Sequence, residues 1–376
     1  MGAHARFSPS AANRLIHCPP SLVLGEAFDD EESPYAAEGT AGHALAEHLI
    51  KKYLKLRSTR PVSDYYSDEL LEAVDDYVSF VIEEIETARQ ECTSPIFFVE
   101  FRVDISDYVP DCFGTADMVI ITDRMIHIID LKLGKGVPVY AEDNPQLKIY
   151  GLGVLELAEM LFDIEAVRLT IYQPRISNFS TWDLSPTDLK AWGNDTLRPA
   201  GKLALKGEGD LSAGSWCRFC KARFTCRQRA EENLKLAQME FKAPALLTDD
   251  EIAEVLKTAD ELSKWASDVY SYAQDQAIVH HKVWKGFKLV MGKSNRKYTS
   301  EEEVAAAASA AGYTDIYKKS LIGITEMERL MGKKEFARIL GALVYKPEGK
   351  VTLVPESDKR KAIQSSTAAA DFKEED

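Results

Sequence analysis

Two of the most apolar stretches of this chain carry charged residues, and this constrains its fold more than any other feature. Asp117 lies beside the run 118–121, and Asp130 and Lys132 lie within 128–133. Burying a charge is costly unless it is paired or bound to a metal. Asp130 and Lys132 are two residues apart on a predicted strand, so both side chains leave the same face. We therefore expect paired or metal-bound charges at the end of a strand.

The spacing of apolar residues predicts an α/β fold with a mixed central sheet flanked by helices. The first predicted elements are helices at 36–56 and 68–88, strands at 95–103, 116–122 and 125–131, a helix at 145–161, strands at 166–173 and 180–184, and a helix at 186–205. The C-terminal region is predicted to be mainly helical, with a long helix at 249–278, a β-ribbon at 284–298, small helices at 301–343 and a strand at 351–354.

Length and composition set the bounds on the organisation of the chain. Its 376 residues, 45% hydrophobic and 28% charged, suit two or three ordinary globular domains. We expect a first domain at 1–230, an accessory region at 231–364 and a disordered tail at 365–376. No segment has the pattern of a membrane span or signal peptide, so a cytoplasmic protein without a membrane partner is expected. The net charge of −14 argues against non-specific coating of nucleic acid, but a nucleic-acid substrate needs only a local basic path.

The two aspartates offer a site for a divalent cation. A tight turn at 123–124 would fold the strand of Asp117 against that of Asp130, so that both carboxylates could share one ion. Hard oxygen ligands favour Mg²⁺ or Mn²⁺ over zinc. The ammonium of Lys132 would then position a water and stabilise charge that develops on a phosphate. The alternative is a simple Asp–Lys ion pair at a solvated strand end.

Residues elsewhere in the sequence bear on the same site. Gln146 and Tyr150 are four apart on a predicted helix and share a face, from which they can contact the active-site lysine. His43, near the start of the first helix, offers an imidazole to the same ion, and Glu47 lies one turn on to orient it. Glu100 could add a carboxylate, but we interpret it as the polar end of its strand.

This order of residues resembles the PD-(D/E)XK nuclease superfamily, and within it the RecB-like branch. That branch carries a helix His, then Gly-x-x-Asp, then Asp/Glu-x-Lys, then Gln-x-x-x-Tyr. Here these motifs stand as His43, Gly114 to Asp117, Asp130 to Lys132, and Gln146 to Tyr150. Each motif alone is weak, but the ordered series is specific. The resemblance implies a restriction-endonuclease-like fold, with His43, Asp117 and Asp130 as metal ligands, Lys132 as the catalytic lysine, and Gln146 and Tyr150 as active-site supports.

The cysteines form a second distinctive pattern. Cys217, Cys220 and Cys226 follow one another as C-x₂-C-x₅-C, and Cys18 lies far upstream. In a reducing compartment such spacing indicates metal or redox chemistry rather than disulfides. Four thiolates suit either an iron–sulfur cluster or a structural zinc, and the spacing does not separate the two.

RecB-like nucleases with an iron–sulfur staple, such as the AddB-type and the CRISPR-associated adaptation nucleases, are similar in layout. They have one cysteine before the nuclease core and three after it. That resemblance implies a mainly structural 4Fe–4S cluster, with zinc as the alternative, held by Cys18, Cys217, Cys220 and Cys226. His17 is a conceivable other ligand. Cys92 and Cys112 have no partner spacing and are expected to be small buried hydrophobes.

The expected function is that of a metal-dependent DNA nuclease, most simply an exonuclease on single-stranded or frayed ends. The chain also resembles a phage-encoded family, which implies a role in phage DNA replication or recombination with partner proteins. No G-x-x-x-x-G-K-S/T loop is present, so any unwinding is left to a partner. The alternatives are a non-catalytic protein that binds DNA ends or acts as a scaffold, and a zinc-stabilised RNA-processing nuclease.

The accessory region carries a basic and aromatic segment. Such a segment suits either contacts with a DNA backbone and bases or an ordinary amphipathic ribbon. Its residues are Trp284, Lys285, Phe287, Lys288, Lys293, Arg296, Lys297 and Tyr298.

Overall fold

The computed structural model describes residues 5–28, 34–237, 249–289, 301–310 and 324–344. The chain divides into two compact units, Met1–His281 and Lys282–Asp376. The segment 1–230 lies within the first unit, which also contains the long helix at the start of the accessory region. Among the described residues, no helix has both the length and the hydropathy needed to cross a bilayer.

A five-stranded sheet forms the centre of the first unit. Its strands are β1 (Ile96–Asp104), β2 (Phe113–Ile121), β3 (Met125–Leu131), β4 (Ala166–Gln173) and β5 (Asn178–Leu184). They lie in the order β1-β2-β3-β4-β5, with β3 and β4 parallel and the other neighbours antiparallel. A parallel pair needs a crossover connection, which here contains a helix. The predicted mixed α/β architecture is confirmed.

Helices flank this sheet. Those described in the first unit are α1 (Ala12–His17), α2 (Ser21–Gly25), α3 (Pro34–Tyr53), α4 (Asp68–Glu91), α5 (Pro145–Ala158), α6 (Pro186–Trp192), α7 (Arg198–Lys206), α8 (Arg227–Ala237) and α9 (Asp249–Val279). Local sequence fixes where α5 begins, because Asn144 Oδ1 accepts hydrogen bonds from the N–H groups of Gln146 (3.1 Å) and Leu147 (3.3 Å). The helices described in the second unit are α10 (Glu301–Ala310), α11 (Ile324–Met331) and α12 (Lys333–Leu340).

Some predicted elements differ from the structure or lie outside its described part. The helix predicted at 186–205 is interrupted by a π-helical turn at Gly193–Leu197, just before Pro199, which has no N–H to continue the α-helical pattern. The ribbon predicted at 284–298 is described to residue 289, and that part contains no strand. The predicted strand at 351–354 and the tail at 365–376 lie outside the described residues.

The sheet packs on both faces, so the first unit has three layers. On β3, Ile128 belongs to a core cluster shared with α5, whereas Ile129 and Leu131 belong to a second cluster shared with α3 and α4. Alternate residues of a strand leave opposite faces. Asp130 and Lys132 follow the phase of Ile128, so they leave the sheet on the side of α5.

The alternation of apolar side chains slips by one residue in the middle of β1. Phe98 packs on the α5 side and Val99 on the other side, yet Phe101 is again on the α5 side. Between them Glu100 has a φ of +52°, a left-handed backbone that non-glycine residues rarely adopt. The register places Glu100 opposite Asp117 on β2, where the ladder lacks a residue pair. Two carboxylates therefore meet at a break in the strand pairing.

Arg229 fastens α9 to the segment that carries the cysteines. Its side chain is buried, and its guanidinium lies 2.8 Å from Glu261 Oε1 and 2.7 Å from Asp268 Oδ2, both on α9. A third contact is the 3.4 Å hydrogen bond that it donates to the carbonyl of Arg223. A buried cation is tolerated when it is paired in this way.

We expect Arg229→Met to lower the free energy of unfolding by about 2–3 kcal/mol, because it leaves two half-buried carboxylates without their partner. Urea titration measures this change. The matched control is Lys235→Met, which breaks an exposed pair with Glu232 and should cost less than about 0.5 kcal/mol. Equal costs for the two variants would contradict the role given to Arg229.

The N-terminal segment packs against β2 at Gly114. A Cβ atom placed on Gly114 would lie 2.7 Å from Pro9 Cγ and 3.1 Å from Tyr150 Cε1. Both neighbours are rings, which cannot fold away from an added atom. The absence of a side chain at this position therefore lets the N-terminal segment and α5 approach the strand together.

Gly114→Ala should destabilise the protein by about 1–3 kcal/mol through overpacking. The control is Gly39→Ala on α3, where a Cβ would meet no atom within 4 Å. Thermal unfolding of both variants compares them. If Gly114→Ala unfolds at the wild-type temperature, the close approach of Pro9 and Tyr150 to the strand is not a tight contact.

Candidate functional site

Asp117 on β2 is held by two neighbouring elements. Its Oδ2 accepts a 2.7 Å hydrogen bond from the N–H of Leu131 at the end of β3. Its Oδ1 lies 3.2 Å from His43 Nδ1 on α3. Burial lowers the pKa of His43, but the charge and hydrogen bond of Asp117 outweigh burial, so the pKa is raised. The structure thus brings the predicted residues His43 and Asp117 together.

A second polar group forms between the end of β3 and the first turns of α5. Lys132 Nζ lies 2.5 Å from Asp130 Oδ2 and donates a 3.2 Å hydrogen bond to Gln146 Oε1. Gln146 Nε2 in turn lies 3.2 Å from both Asp130 Oδ1 and the Tyr150 hydroxyl, and donates to each. Four of the predicted site residues therefore form one connected network.

The carboxylate of Asp130 is incompletely satisfied by its protein neighbours. Its side chain is 3% exposed, and burial raises its pKa although Lys132 acts to lower it. Within the described part of the chain, Oδ2 has the ammonium of Lys132 as an ion-pair partner but no aligned hydrogen bond. Buried polar atoms normally have such a bond. An oxygen of this kind suits a divalent cation as an additional partner.

Glu100 belongs to this site, and the sequence interpretation of it as a strand end is wrong. β1 continues beyond it to Asp104. One ligand atom each from His43, Glu100 and Asp117 lies within 4.8 Å of the other two. Burial, followed by the charge of Asp117, raises the pKa of Glu100 to about 7. The sequence signal for this break was the spacing of Phe98 and Phe101. Two residues three apart cannot share one face of a regular strand, so two apolar residues at this spacing indicate an irregular backbone between them.

The group of His43, Glu100 and Asp117 offers one imidazole nitrogen and carboxylate oxygens, a donor set that suits Mg²⁺ or Mn²⁺. Asp130 lies outside this 4.8 Å group, but its pKa is also raised by the charge of Asp117. Asp117 therefore links the two parts of the site. Its contact also orients His43, whereas Glu47, expected to do so, pairs with Lys51 one turn further on α3.

An open cleft of about 410 Å³ is lined by residues of α3 and of the segment that follows this helix. It begins at Ala44, the residue after His43, and contains the cationic side chains of Lys51 and Arg57. Cations and hydroxyls of this kind bind phosphate oxygens. The complete lining is Ala44, Glu47, Lys51, Arg57, Ser58, Thr59 and Pro61.

The four predicted cysteine ligands line one small cavity of about 20 Å³. Cys18 follows α1. The other three lie more than 190 residues later, in the segment of short helical turns that precedes α8; they are Cys217, Cys220 and Cys226. Beside the cavity the ring of His17 stacks on that of Trp216, with centroids 4.2 Å apart. His17 Nδ1 also lies 2.7 Å from the carbonyl of Asn13. The two ends of the first domain are thus joined at this cavity.

Positive charge surrounds the cysteine cavity. Burial raises the pKa of Cys217, while the N–H of Gly214 and the charge of Arg229 act to lower it. Burial likewise raises the pKa of Cys220, against the N–H of Ala222 and the charge of Arg14. Both arginines line the cavity. Cysteine thiolates that hold a metal centre in this cavity would therefore lie close to positive charge.

The remaining cysteines lie elsewhere and are buried, as expected for small hydrophobes. Cys112 belongs to the core cluster on the α5 side, and burial raises its pKa to about 12. In the accessory region, Phe287 is exposed, and Lys285 and Lys288 are exposed beside it. The other members of that basic segment, from Lys293 to Tyr298, lie outside the described residues.

Two comparisons place the chain among known proteins. A solved structure titled "Crystal structure of SSO0001" is 12% identical and covers 61% of this chain and 89% of its own, with a TM-score of 0.28, too low for a shared fold to be inferred from it. A family model described as "Protein of unknown function (DUF2800)" matches residues 4–361, which is nearly the whole chain. The protein therefore belongs to the DUF2800 family.

Proposed function

We propose that this protein is a metal-dependent DNA nuclease of the PD-(D/E)XK type, acting as an exonuclease on single-stranded or frayed ends. One observation carries the proposal. Lys132 is held by Asp130 and Gln146 at the end of β3, and Asp117 connects this network to the group of His43 and Glu100. A carboxylate-rich site with a fixed ammonium suits hydrolysis of a phosphodiester.

The residues present fit a divalent cation. The candidate ligands are His43, Glu100 and Asp117, together with Asp130, whose Oδ2 is ion-paired with Lys132 but has no aligned hydrogen bond. When bound, such a cation would lower the pKa of a water molecule and polarise a phosphoryl oxygen. Burial raises the pKa values of Glu100 and Asp130, and the charge of Asp117 adds to the effect, so a bound cation would compensate charge at this site.

Lys132 supplies a positive charge to the proposed reaction. Burial lowers its pKa, but the carboxylates of Asp130 and Asp117 outweigh burial and raise it, so the amine stays protonated at neutral pH. In this form it donates hydrogen bonds, and it can orient an attacking water and stabilise negative charge on the phosphate. Gln146 and Tyr150 fix its position from α5.

The cleft that begins at Ala44 on α3 supports a nucleic-acid substrate. Its volume of about 410 Å³ and its cationic residues Lys51 and Arg57 suit a nucleotide and its phosphate. No nucleotide-binding loop for a helicase motor is present in the sequence, so an already single-stranded end is the simplest substrate. Such an activity would serve DNA replication or recombination, alongside partner proteins that expose the end.

Lys132→Ala should reduce cleavage of end-labelled single-stranded DNA with Mn²⁺ by about 10²-fold or more, because it removes the positioned charge. The matched control is Lys135→Ala in the following loop, whose amine pairs with Glu69 on the surface. It should cleave within about two-fold of wild type.

The same assay on duplex DNA and RNA separates the alternatives. Equal cleavage by Lys132→Ala and wild type would discard the proposed site. Activity on RNA alone would favour an RNA-processing nuclease. Binding of DNA ends without cleavage by the wild-type protein would favour a non-catalytic end-binding protein.

We also propose that the four cysteines hold a 4Fe–4S cluster with a structural role. Zinc–sulfur bonds of about 2.3 Å would place tetrahedral thiolates ~3.8 Å apart. In the described chain, the group of three ligand atoms found within 4.8 Å of one another contains no cysteine, which supports a centre wider than a single zinc ion. A cluster spans more space, and the charge of Arg14 would compensate its thiolates.

Cys18→Ser should remove the visible absorption and the iron of anaerobically purified protein and lower its unfolding temperature, because it opens the link between the two ends of the domain. Cys92→Ser, at a buried cysteine away from the cavity, should keep both signals. Metal analysis completes the test. One zinc per chain would favour the structural zinc, and a colourless, metal-free, fully active protein would rule out either centre.

A further inference from the structure

The turn between Cys217 and Cys220 presents an aromatic side chain to solvent. Both cysteines are 7% exposed, whereas Phe219 between them is 74% exposed. A large apolar side chain at the tip of a turn contributes little to folding, since it stays in water. Its exposure is therefore a reason to look for a ligand.

The backbone of this turn is well fixed. The N–H of Cys217 donates to the carbonyl of Gly214 (2.9 Å), and the N–H of Cys220 donates to that of Cys217 (3.0 Å). Trp216 is anchored by a 3.0 Å hydrogen bond from Nε1 to the carbonyl of Ser212 and by its stack on His17. Phe219 is thus held out from the surface by a rigid support and loses little entropy on binding.

The tip of the turn lies beside the loop that connects two parts of the candidate active site. Arg218 Nη2 is 3.8 Å from the position that a Cβ atom on Gly136 would occupy. Gly136 belongs to the loop that joins Lys132 to Gln146. The guanidinium of Arg218 also lies 5.9 Å from the ring centre of Phe219, so the cation and the aromatic ring form one small surface.

The charge of this segment suits an anionic ligand, although the chain as a whole is acidic at −14. Residues 217–229 contain five basic and no acidic residues. Arg229 is neutralised by α9, whereas Arg218 and Arg223 lie over aromatic rings, at 5.9 Å and 3.9 Å. The pattern of stacked aromatics and cations is that of single-stranded nucleic-acid binding.

We propose that Arg218 and Phe219 form a stacking platform for a base of a single-stranded nucleic acid whose end enters the candidate active site. Phe219 offers a ring face to any base, and Arg218 contacts the adjoining phosphate. The cysteine centre then has a second role, which is to aim this platform at the loop of Lys132. The inference rests on the proposed function for the identity of its ligand.

The test measures binding separately from cleavage. In a Lys132→Ala background, a fluorescent oligodeoxynucleotide with 2-aminopurine near its end is titrated with full-length protein. Phe219→Ala should weaken binding roughly ten-fold or more and abolish the quenching of 2-aminopurine, whereas Phe219→Trp should restore both. Arg218→Ala should weaken binding and reduce the dependence of log Kd on log salt by about one unit.

The matched control is the double variant Lys190→Ala, Leu161→Ala near the C-terminal end of α5. It also removes one cation and one exposed apolar side chain, since Lys190 pairs with Glu159 and Leu161 is 74% exposed. It should bind as the background protein does. Iron content and unfolding temperature of Phe219→Ala should equal those of the background, which shows that the cysteine centre is intact.

The outcomes distinguish this inference from the proposed function. If Phe219→Ala and Phe219→Leu bind and quench as the background protein does, and the wild-type protein cleaves DNA, the platform is overturned and the proposed nuclease function stands. Loss of binding in Phe219→Ala, in a protein whose wild type cleaves no substrate, supports the platform and overturns the nuclease. A loss of binding shared by the Leu161 and Lys190 control would show a non-specific surface effect and also overturn the platform.

Discussion

The buried charge at the end of β3 is the constraint on which the rest of this structure depends. Asp130 and Lys132 cannot stay buried alone, so they pair with each other and with Gln146 of α5. That requirement fixes where α5 begins relative to the sheet. Asn144 and Pro145 start the helix at the position that brings Gln146 and Tyr150 over the strand end. The parallel pairing of β3 with β4 then follows, because α5 is the crossover between them.

The break in the pairing of β1 with β2 at Glu100 is the second feature that brings the site residues together. A regular ladder would keep Glu100 and Asp117 in an ordinary cross-strand pair. Instead the left-handed backbone at Glu100 removes that pair and lets both carboxylates approach His43. Strain of this kind persists when surrounding packing holds it, and it is common where function needs an unusual geometry. Here the flanking phenylalanines and Val99 bury the strand on both sides of the break.

The cysteine cavity brings together two segments that are far apart in the sequence. Cys18 and the segment 217–226 are far apart in sequence and meet at one cavity, with His17 stacked on Trp216 beside it. Arg229 extends the connection to α9 through Glu261 and Asp268. Side-chain contacts between distant segments therefore add to the core in holding the first unit together. The cysteine segment also contains Arg218, whose guanidinium lies next to Gly136 in the loop that follows Lys132.

The sequence by itself determined most elements of the first unit and most residues of the candidate site. Periodicity gave β3 and β4 at their observed bounds, and the spacing of Asp130, Lys132, Gln146 and Tyr150 placed them on shared faces, because these are properties of neighbouring residues. Only the tertiary structure decided the place of Glu100. Whether a carboxylate is a strand end or a ligand depends on which residue of another strand lies opposite, and that register is set by packing across the sheet rather than by local sequence.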